Sequence, residues 1–483
     1  MSTRAIQAEG PFALDPSAVD RLERRIGDAV ALARRRGAPA AASVTQAVDA
    51  SVDLSAAVLC SRRPADRYVC IEQPGRDGHT VCGLGAAATQ HASGADRFTR
   101  VAAQARDLNS RTLADDPAAD PLGPPGSGPV HLGGFAFSDA GGRAPEWAGF
   151  AAAQLVLPEV SFARQGEEAR MTVSVAVEGD ESPAAVLERT LERIAELRGG
   201  EMPLIDPDPV ARPRIAGAAP PAHYEEAVRR AVERIRAGEL EKVVLAREVR
   251  VIADRDFDAA PVFGGLRAAF ADCYCYCAGG SGSAFVGASP ELLVRRDGGR
   301  AQTVALAGTT RRSADPAVDD HLGEQLLRSS KNRAEQAIVA ERIQRTLDPV
   351  SVWVAAGSEP VLVKVQNVQH LATPIRAHLA QPLSAVELAG ILHPTPAVGG
   401  EPAAAAEPLI PALEGLDRGW YAGAVGWTDV AEDGEFCVAL RCALLRGPVA
   451  HLYAGCGIVA DSVPAEELAE TEVKLEALLP LLV

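Results

Sequence analysis

Gly455-Cys456-Gly457-Ile458-Val459, followed by Glu467-Leu-Ala-Glu470-Thr-Glu-Val-Lys474, sets a glycine-rich turn just before a helix. Residues three and four apart are neighbours on a helix surface, so Glu467, Glu470 and Lys474 share one face and Glu472 turns away from it. Carboxylates displayed in this way suit a hard cation, and glycines let backbone amides approach an anion closely. A capped, solvated helix would explain the run equally well if it stood alone. Its companions elsewhere in the chain decide between the two.

The chain has 483 residues, 47% hydrophobic and 23% charged, which is globular composition with length for two or more domain-sized units or one large body. A formal charge of −16 argues against a nucleic-acid or membrane-surface binder, because affinity for phosphate comes from clustered Lys and Arg. An anionic substrate would therefore need a local basic site or a metal. Met1 to Asp15 holds no basic segment followed by an apolar run, and no apolar stretch reaches the ~20 residues of a membrane helix, so a soluble cytoplasmic protein is expected. Nine cysteines without a C-x-x-C pair are too sparse for a disulfide scaffold. Cys273, Cys275 and Cys277 alternate with Asp272, Tyr274 and Tyr276, the period of a buried strand rather than a thiolate metal site.

Working outward, residues 20 to 36 repeat apolar side chains at helical spacing. Ala57 to Leu59, Tyr68 to Ile71, Leu132 to Phe137, Ala153 to Leu157 and Met171 to Val177 read as short strands between Gly, Pro and Asp clusters, favouring an antiparallel sheet. Pro117, Pro121, Pro124, Pro125 and Gly126 mark an exposed loop. A helix from about Pro183 to Leu197 precedes a Pro-, Ala- and Gly-rich linker from Gly199 to Ala222. Beyond it, Tyr224, Ala227, Val228, Ala231, Val232 and Ile235 form a helical stripe ending at Gly238, and Lys242 to Val249 is a β-branched strand. Strands follow at Ala284 to Gly287, Leu292 to Arg295, Gln302 to Leu306, Val361 to Val368, Tyr421 to Trp427, Glu435 to Leu445 and Val449 to Gly455. One long helix is expected from Asp319 to Thr346 and a last one from Pro464 to Leu482. The alternation is too irregular for a barrel or a doubly wound sheet, so the expected class is α+β, with large, mostly antiparallel sheets and flanking helices. The expected division is a sheet-rich region, 1–205, packing on a catalytic region, 220–483.

Lys242 heads an apolar strand, either as a snorkelling lysine or as a desolvated base. Glu291 opens another, after Ser289-Pro290, as an exposed strand-end acid or a buried one. If both face one pocket, burial pushes the lysine towards neutral and the glutamate towards protonated, giving a base and an acid around a substrate. Glu335, in Lys331-Asn-Arg-Ala-Glu335, is either a salt-bridged surface residue beside Lys331 or Arg333, or a metal ligand paired with Glu470. Arg441 sits where strand alternation would bury it and so needs an anionic partner, for which a substrate carboxylate is suited.

The chain from Tyr224 onward resembles the chorismate-binding family, which includes isochorismate synthases, salicylate synthases, anthranilate synthase large subunits and aminodeoxychorismate synthases. The resemblance is carried by Lys242-Val-Val-Leu-Ala-Arg, Gly287-Ala-Ser-Pro-Glu291-Leu-Leu, Leu306-Ala-Gly308-Thr309, Lys331-Asn-Arg-Ala-Glu335 and Gln369-His370-Leu-Ala-Thr. His393-Pro-Thr-Pro-Ala397-Val-Gly-Gly, Trp420-Tyr421-Ala-Gly-Ala-Val-Gly-Trp, Arg441 and the Gly455 to Lys474 segment complete it, in order, over more than half the chain. The implied fold is that of anthranilate synthase component I.

The resemblance implies that Lys242 activates water to attack C2 of chorismate and that Glu291 protonates the departing C4 hydroxyl. It implies magnesium held by Glu335 and Glu470, with Glu467 acting through water. Gly308, Thr309, Ala397, Tyr421, Arg441, Gly455 and Lys474 would line the substrate, with His370 beside it. Amine-forming relatives carry Gln at the Lys242 position, and the aminodeoxychorismate type has a nucleophilic lysine where this chain has Ala307, so water is the implied nucleophile. Tyr421 and Leu440 resemble salicylate synthases, whereas Ala397 within His-Pro-Thr-Pro-Ala resembles isochorismate synthases, which carry the greater weight. The expectation is a magnesium-dependent isochorismate synthase serving menaquinone or siderophore synthesis, a monomer or homodimer. A salicylate synthase is the first alternative. A catalytically silent chorismate-binding partner is the second, suggested by Asn332, Gln336 and Cys456, where relatives often carry an acid, a histidine and an alanine.

Overall fold

The computed structural model of the protein describes residues 10–115, 123–206, 212–366 and 368–483. Pro117 and Pro121 of the expected loop, most of Met1 to Asp15, and part of the Gly199 to Ala222 linker lie outside the described residues.

Among the described residues two large sheets form the body, one of thirteen strands and one of ten. Among the described pairings only Ala40–Ala47 with Thr112–Leu113 is parallel; the rest are antiparallel, as the alternating runs and turn clusters foretell. Each sheet draws strands from both halves of the chain: Tyr68–Gln73 of the first half pairs with Tyr274–Gly280, and Val130–Phe135 pairs with Ala424–Asp429. The inward faces of both sheets share one apolar core containing Phe135, Trp147, Tyr276, Phe285 and Phe436, all 0% exposed. Helices Pro16–Arg36, Pro183–Ala195 and Ala259–Ala269 contribute to a second core, and Pro221–Arg236 packs with Ala403–Glu414 over the Lys242–Ile252 strand in a third. No helix among the described residues is long and apolar enough to cross a membrane.

Several expectations need correction, and two of them shape the site. Ala57 to Leu59 belongs to a helix, Leu54–Cys60, because the Asp53 carboxylate accepts the Ala56 N–H at 2.9 Å and caps it. The expected linker contains a strand, Arg214–Gly217, which pairs at the sheet edge with Lys242–Ile252. Val361 to Val368 is two strands, Val361–Lys364 and the start of Val368–Leu379, paired with each other. The long helix is two, Pro316–Arg328 and Ser330–Leu347, broken at Ser329, whose extended backbone (ψ 116°) lets its side chain accept the Asn332 N–H. Ser329→Ala is expected to cost about 1 kcal/mol, read as a lower urea midpoint, and to loosen the turn that carries Asn332.

Glu435 to Leu445 is likewise not one strand. Gly434–Val438 lies in the ten-stranded sheet and Cys442–Arg446 in the thirteen-stranded one, and the chain switches sheets through Arg441, whose φ is +48°. Glu291 occupies the matching corner, between Ser283–Ser289 in one sheet and Leu292–Asp297 in the other. The two corners are tied together: Val438 N–H donates to Glu291 O at 3.0 Å, and Ala288 N–H donates to Arg441 O at 3.1 Å. A left-handed backbone at a non-glycine residue costs on the order of 1–3 kcal/mol and persists only where its surroundings impose it. Here the corner aims a buried guanidinium into a pocket.

Candidate active site

The pocket opens where the sheets meet, walled by the Glu291 and Arg441 corners, the Ser330–Leu347 helix, the loop around Ala397 and the Pro464–Leu475 helix. Glu291, Gly308, Thr309, Glu335, His370, Ala397, Tyr421, Arg441, Gly455, Glu467, Glu470 and Lys474 all line it, so twelve of the thirteen residues singled out from sequence converge. The thirteenth, Lys242, is 1% exposed and reaches the site through its Nζ, 2.9 Å from Glu335 Oε1. Register puts it there: Lys242–Ile252 pairs with Val449–Ile458 so that Val244 faces Gly457 and Ala246 faces Gly455.

The glycines make room rather than bind. A Cβ on Gly457 would lie 2.3 Å from Glu335 Oε1 and 2.7 Å from Lys242 Cε, so the lysine–glutamate pair occupies the space a side chain would take. Gly457→Ala is expected to displace that pair and lower kcat/KM by about a hundredfold, with circular dichroism unchanged. At Gly308 (φ +74°) the Arg300–Arg311 strand carries an irregularity, after which Thr309 stands directly opposite His370.

Each acidic residue expected at a metal has a lysine partner. Glu335 pairs with Lys242 at 2.9 Å, Glu467 with Lys331 at 3.2 Å and Glu470 with Lys474 at 2.7 Å. Oxygens of Glu467 and Glu470 and the Cys456 sulfur lie within 4.8 Å of one another. Burial opposes ionisation of Glu470, but Lys474 outweighs it and holds the carboxyl below its usual value. For Glu467 burial prevails, seconded by repulsion from Glu470, and the carboxyl is pushed up. Glu472, by contrast, points away and pairs with Arg247.

Glu291 is different. It is 3% exposed, and burial raises its pKa to about 8 against the opposing pull of Lys242 and Arg441, so it holds a proton at neutral pH. His370 is pushed well below its usual value by burial and then by Arg441 and Lys474, which makes it a neutral imidazole. Its Nδ1 lies 3.3 Å from Gly308 O and 3.1 Å from Thr309 Oγ1, and Arg441 Nη2 donates to its Nε2 at 3.2 Å, so the ring is fixed by both neighbours. Lys331, Arg441 and Lys474 turn cationic groups to the pocket while Glu291 holds a proton, which favours an anionic ligand in an otherwise acidic protein.

Behind the pocket lies a second buried ion pair. Arg418 donates to both Glu414 oxygens, to Val398 O at 2.8 Å and to Val244 O at 2.9 Å, and its guanidinium lies 5.6 Å from the centre of the Tyr421 ring. It locks the Ala397 loop and Tyr421 to the Lys242 strand. Sequence reasoning missed this pair, and missed that Lys331 lines the pocket. For Lys331 a signal existed, since it stands four residues before Glu335 on the same helix.

A buried acid, a buried lysine, paired carboxylates and a cationic wall define a small-molecule site for an anion at the junction of two antiparallel sheets. The comparisons agree. Residues 28–483 match the family model described as chorismate binding enzyme, and the chain belongs to that family. It is 38% identical over 386 residues to the salicylate biosynthesis isochorismate synthase of Pseudomonas aeruginosa, covering 80% of this chain and 79% of that one. To isochorismate synthase MenF of Bacillus subtilis it is 36% identical over 352 residues, covering 73% of this chain and 74% of that one. The solved structure of MenF, the menaquinone-specific isochorismate synthase of Escherichia coli, superposes with a TM-score of 0.78 at 26% identity, over 97% of this chain and 99% of that one.

Proposed function

We propose that the protein is an isochorismate synthase, an isomerase that converts chorismate to isochorismate by adding water at C2 and expelling the C4 hydroxyl. The observation that carries this reading is the pairing, in one pocket, of a carboxyl holding its proton to about pH 8 (Glu291) with a buried lysine (Lys242). In that role Lys242 acts as the neutral amine and takes a proton from the attacking water, and Glu291 gives one to the departing hydroxyl. One water enters and one leaves, and no free carbocation forms. Arg441 and Lys474 would bind the substrate carboxylates, while His370 and Thr309 hold Arg441 and the Gly308 turn in place.

The carboxylate donors fit a magnesium ion, a hard cation that prefers oxygen ligands and takes only a few from the protein. Glu335 and Glu470 would hold it, with Glu467 acting through water; when bound it supplies charge neutralisation at a substrate carboxylate. The lysine partners of these glutamates keep them in place and balanced.

Incubation of the pure protein with chorismate and magnesium tests the reading, with products separated by chromatography. Isochorismate is the expected product. Tyr421 and Leu440 line the pocket beside Ala397, so salicylate with pyruvate is the specific alternative, and its appearance as main product would reassign the enzyme to salicylate synthase. The likenesses to both a menaquinone-specific enzyme and a salicylate-pathway enzyme leave the consuming pathway to be read from neighbouring genes.

A further inference from the structure

A second cavity, of about 560 Å³, lies on the other side of the Ala397 loop from the reaction pocket, between that loop, the start of the Arg97–Asn109 helix and the Ala403–Glu414 helix. Arg97 lines it and is 6% exposed. Its Nη2 donates to the carbonyls of Ala136 and Phe137 at 3.1 and 3.4 Å, while its Nε is buried without a hydrogen-bond partner. Among the described residues no carboxylate forms an ion pair with this guanidinium, and Asp139 and Glu407 act on it only at longer range. A buried cation served only by two carbonyls and by the Phe98 ring, 4.9 Å from its centre, lacks an anion, and an unsatisfied buried donor is costly.

The remaining wall is largely apolar, with Phe137, Pro394, Ile410 and Leu416 facing the same space. Asp139, Glu407 and Asp417 at the lining outnumber the exposed Arg143 there and oppose a second negative charge. We propose that this cavity is a second small-molecule site, taking a monocarboxylate with an apolar ring body, its carboxylate on Arg97 and its ring against Phe137, Ile410 and Leu416. The preference for one negative charge separates it from the reaction pocket, whose cationic wall suits a dianion. The sites share a loop: Ala397 and Val398 line the reaction pocket and Gly399 and Gly400 line the cavity, with Arg418 holding Val398 O from the cavity side. Binding here is independent of which reaction the first pocket performs.

Calorimetric titration of the full chain with 2-naphthoate, and with neutral 2-naphthamide, tests this. Naphthoate is expected to bind one saturable site, with naphthamide weaker by about tenfold or more, the scale of a lost charge-assisted hydrogen bond. Arg97→Gln should weaken naphthoate by a similar factor. Ala403→Phe, which places a ring in the cavity from its half-exposed helix start, should abolish binding, while Arg441→Gln in the reaction pocket should leave it unchanged. No binding at millimolar naphthoate, equal affinity for the amide, or binding lost in Arg441→Gln but kept in both cavity variants would each overturn the proposal.

Discussion

Lys242→Met is expected to lower turnover by about a hundredfold to ten-thousandfold, the range lost when a positioned general base is removed. Methionine keeps most of the buried stem's packing, so the lost group is the amino nitrogen, Nζ, that lies 2.9 Å from Glu335. A stability cost should accompany the loss, because Glu335, with a side chain only 13% exposed, is left without its partner. Pairing Lys242→Met with Glu335→Gln separates the two effects. If the lysine is the base, the double variant recovers part of the urea midpoint and none of the turnover. Full turnover in Lys242→Met would remove the lysine from the mechanism.

Glu291→Gln is expected to lose activity on the same scale and to gain stability, and the pH dependence of each follows from one pKa. In the folded chain the carboxyl holds its proton to about pH 8, whereas in the unfolded chain it ionises near the ordinary value of 4.5. Between those values the folded state binds more protons than the unfolded one, so wild-type stability from this group is fully present below 4.5 and falls as pH rises to about 8. Glutamine is neutral throughout. Its advantage in urea unfolding should therefore be small at pH 4.5, grow up to about pH 8 and stay level above it. Wild-type kcat should decline above pH 8 as the acid ionises, and the residual activity of the glutamine variant should lack that limb. A variant less stable than wild type at pH 9 would contradict the assignment of a protonated, buried Glu291.

Much of this could be read from the chain, and the exceptions have physical causes. The acidic face of the last helix, the strand headed by Lys242 and the Ser289-Pro290-Glu291 corner are local patterns, and the structure brings them together. The Leu54–Cys60 helix was misread because a short apolar run fits a strand or a helix, although Asp53 was present as a cap. The break at Arg441 carried no local warning: Cys437 to Leu445 alternates like a continuous strand, and its left-handed turn is imposed by hydrogen bonding to the Glu291 corner. The lysine partner of each acidic residue was harder still. Only Lys474 lies within helical reach of its glutamate; Lys242 meets Glu335, and Lys331 meets Glu467, through register and packing that no sequence window contains.

The Arg97 cavity belongs to the same class of feature. Nothing in Asp96-Arg97-Phe98 marks the arginine as buried, and only the fold shows it without a carboxylate partner among the described residues.

The central claim is that Lys242 and Glu291 exchange one hydroxyl for another by adding solvent water to C2. Running the reaction in water enriched in heavy oxygen and weighing the product tests it most directly. The account predicts isochorismate carrying one heavy oxygen atom, at the C2 hydroxyl, after a single turnover. Isochorismate of unchanged mass would show that the original hydroxyl migrated within the substrate, and would contradict the roles given to both residues.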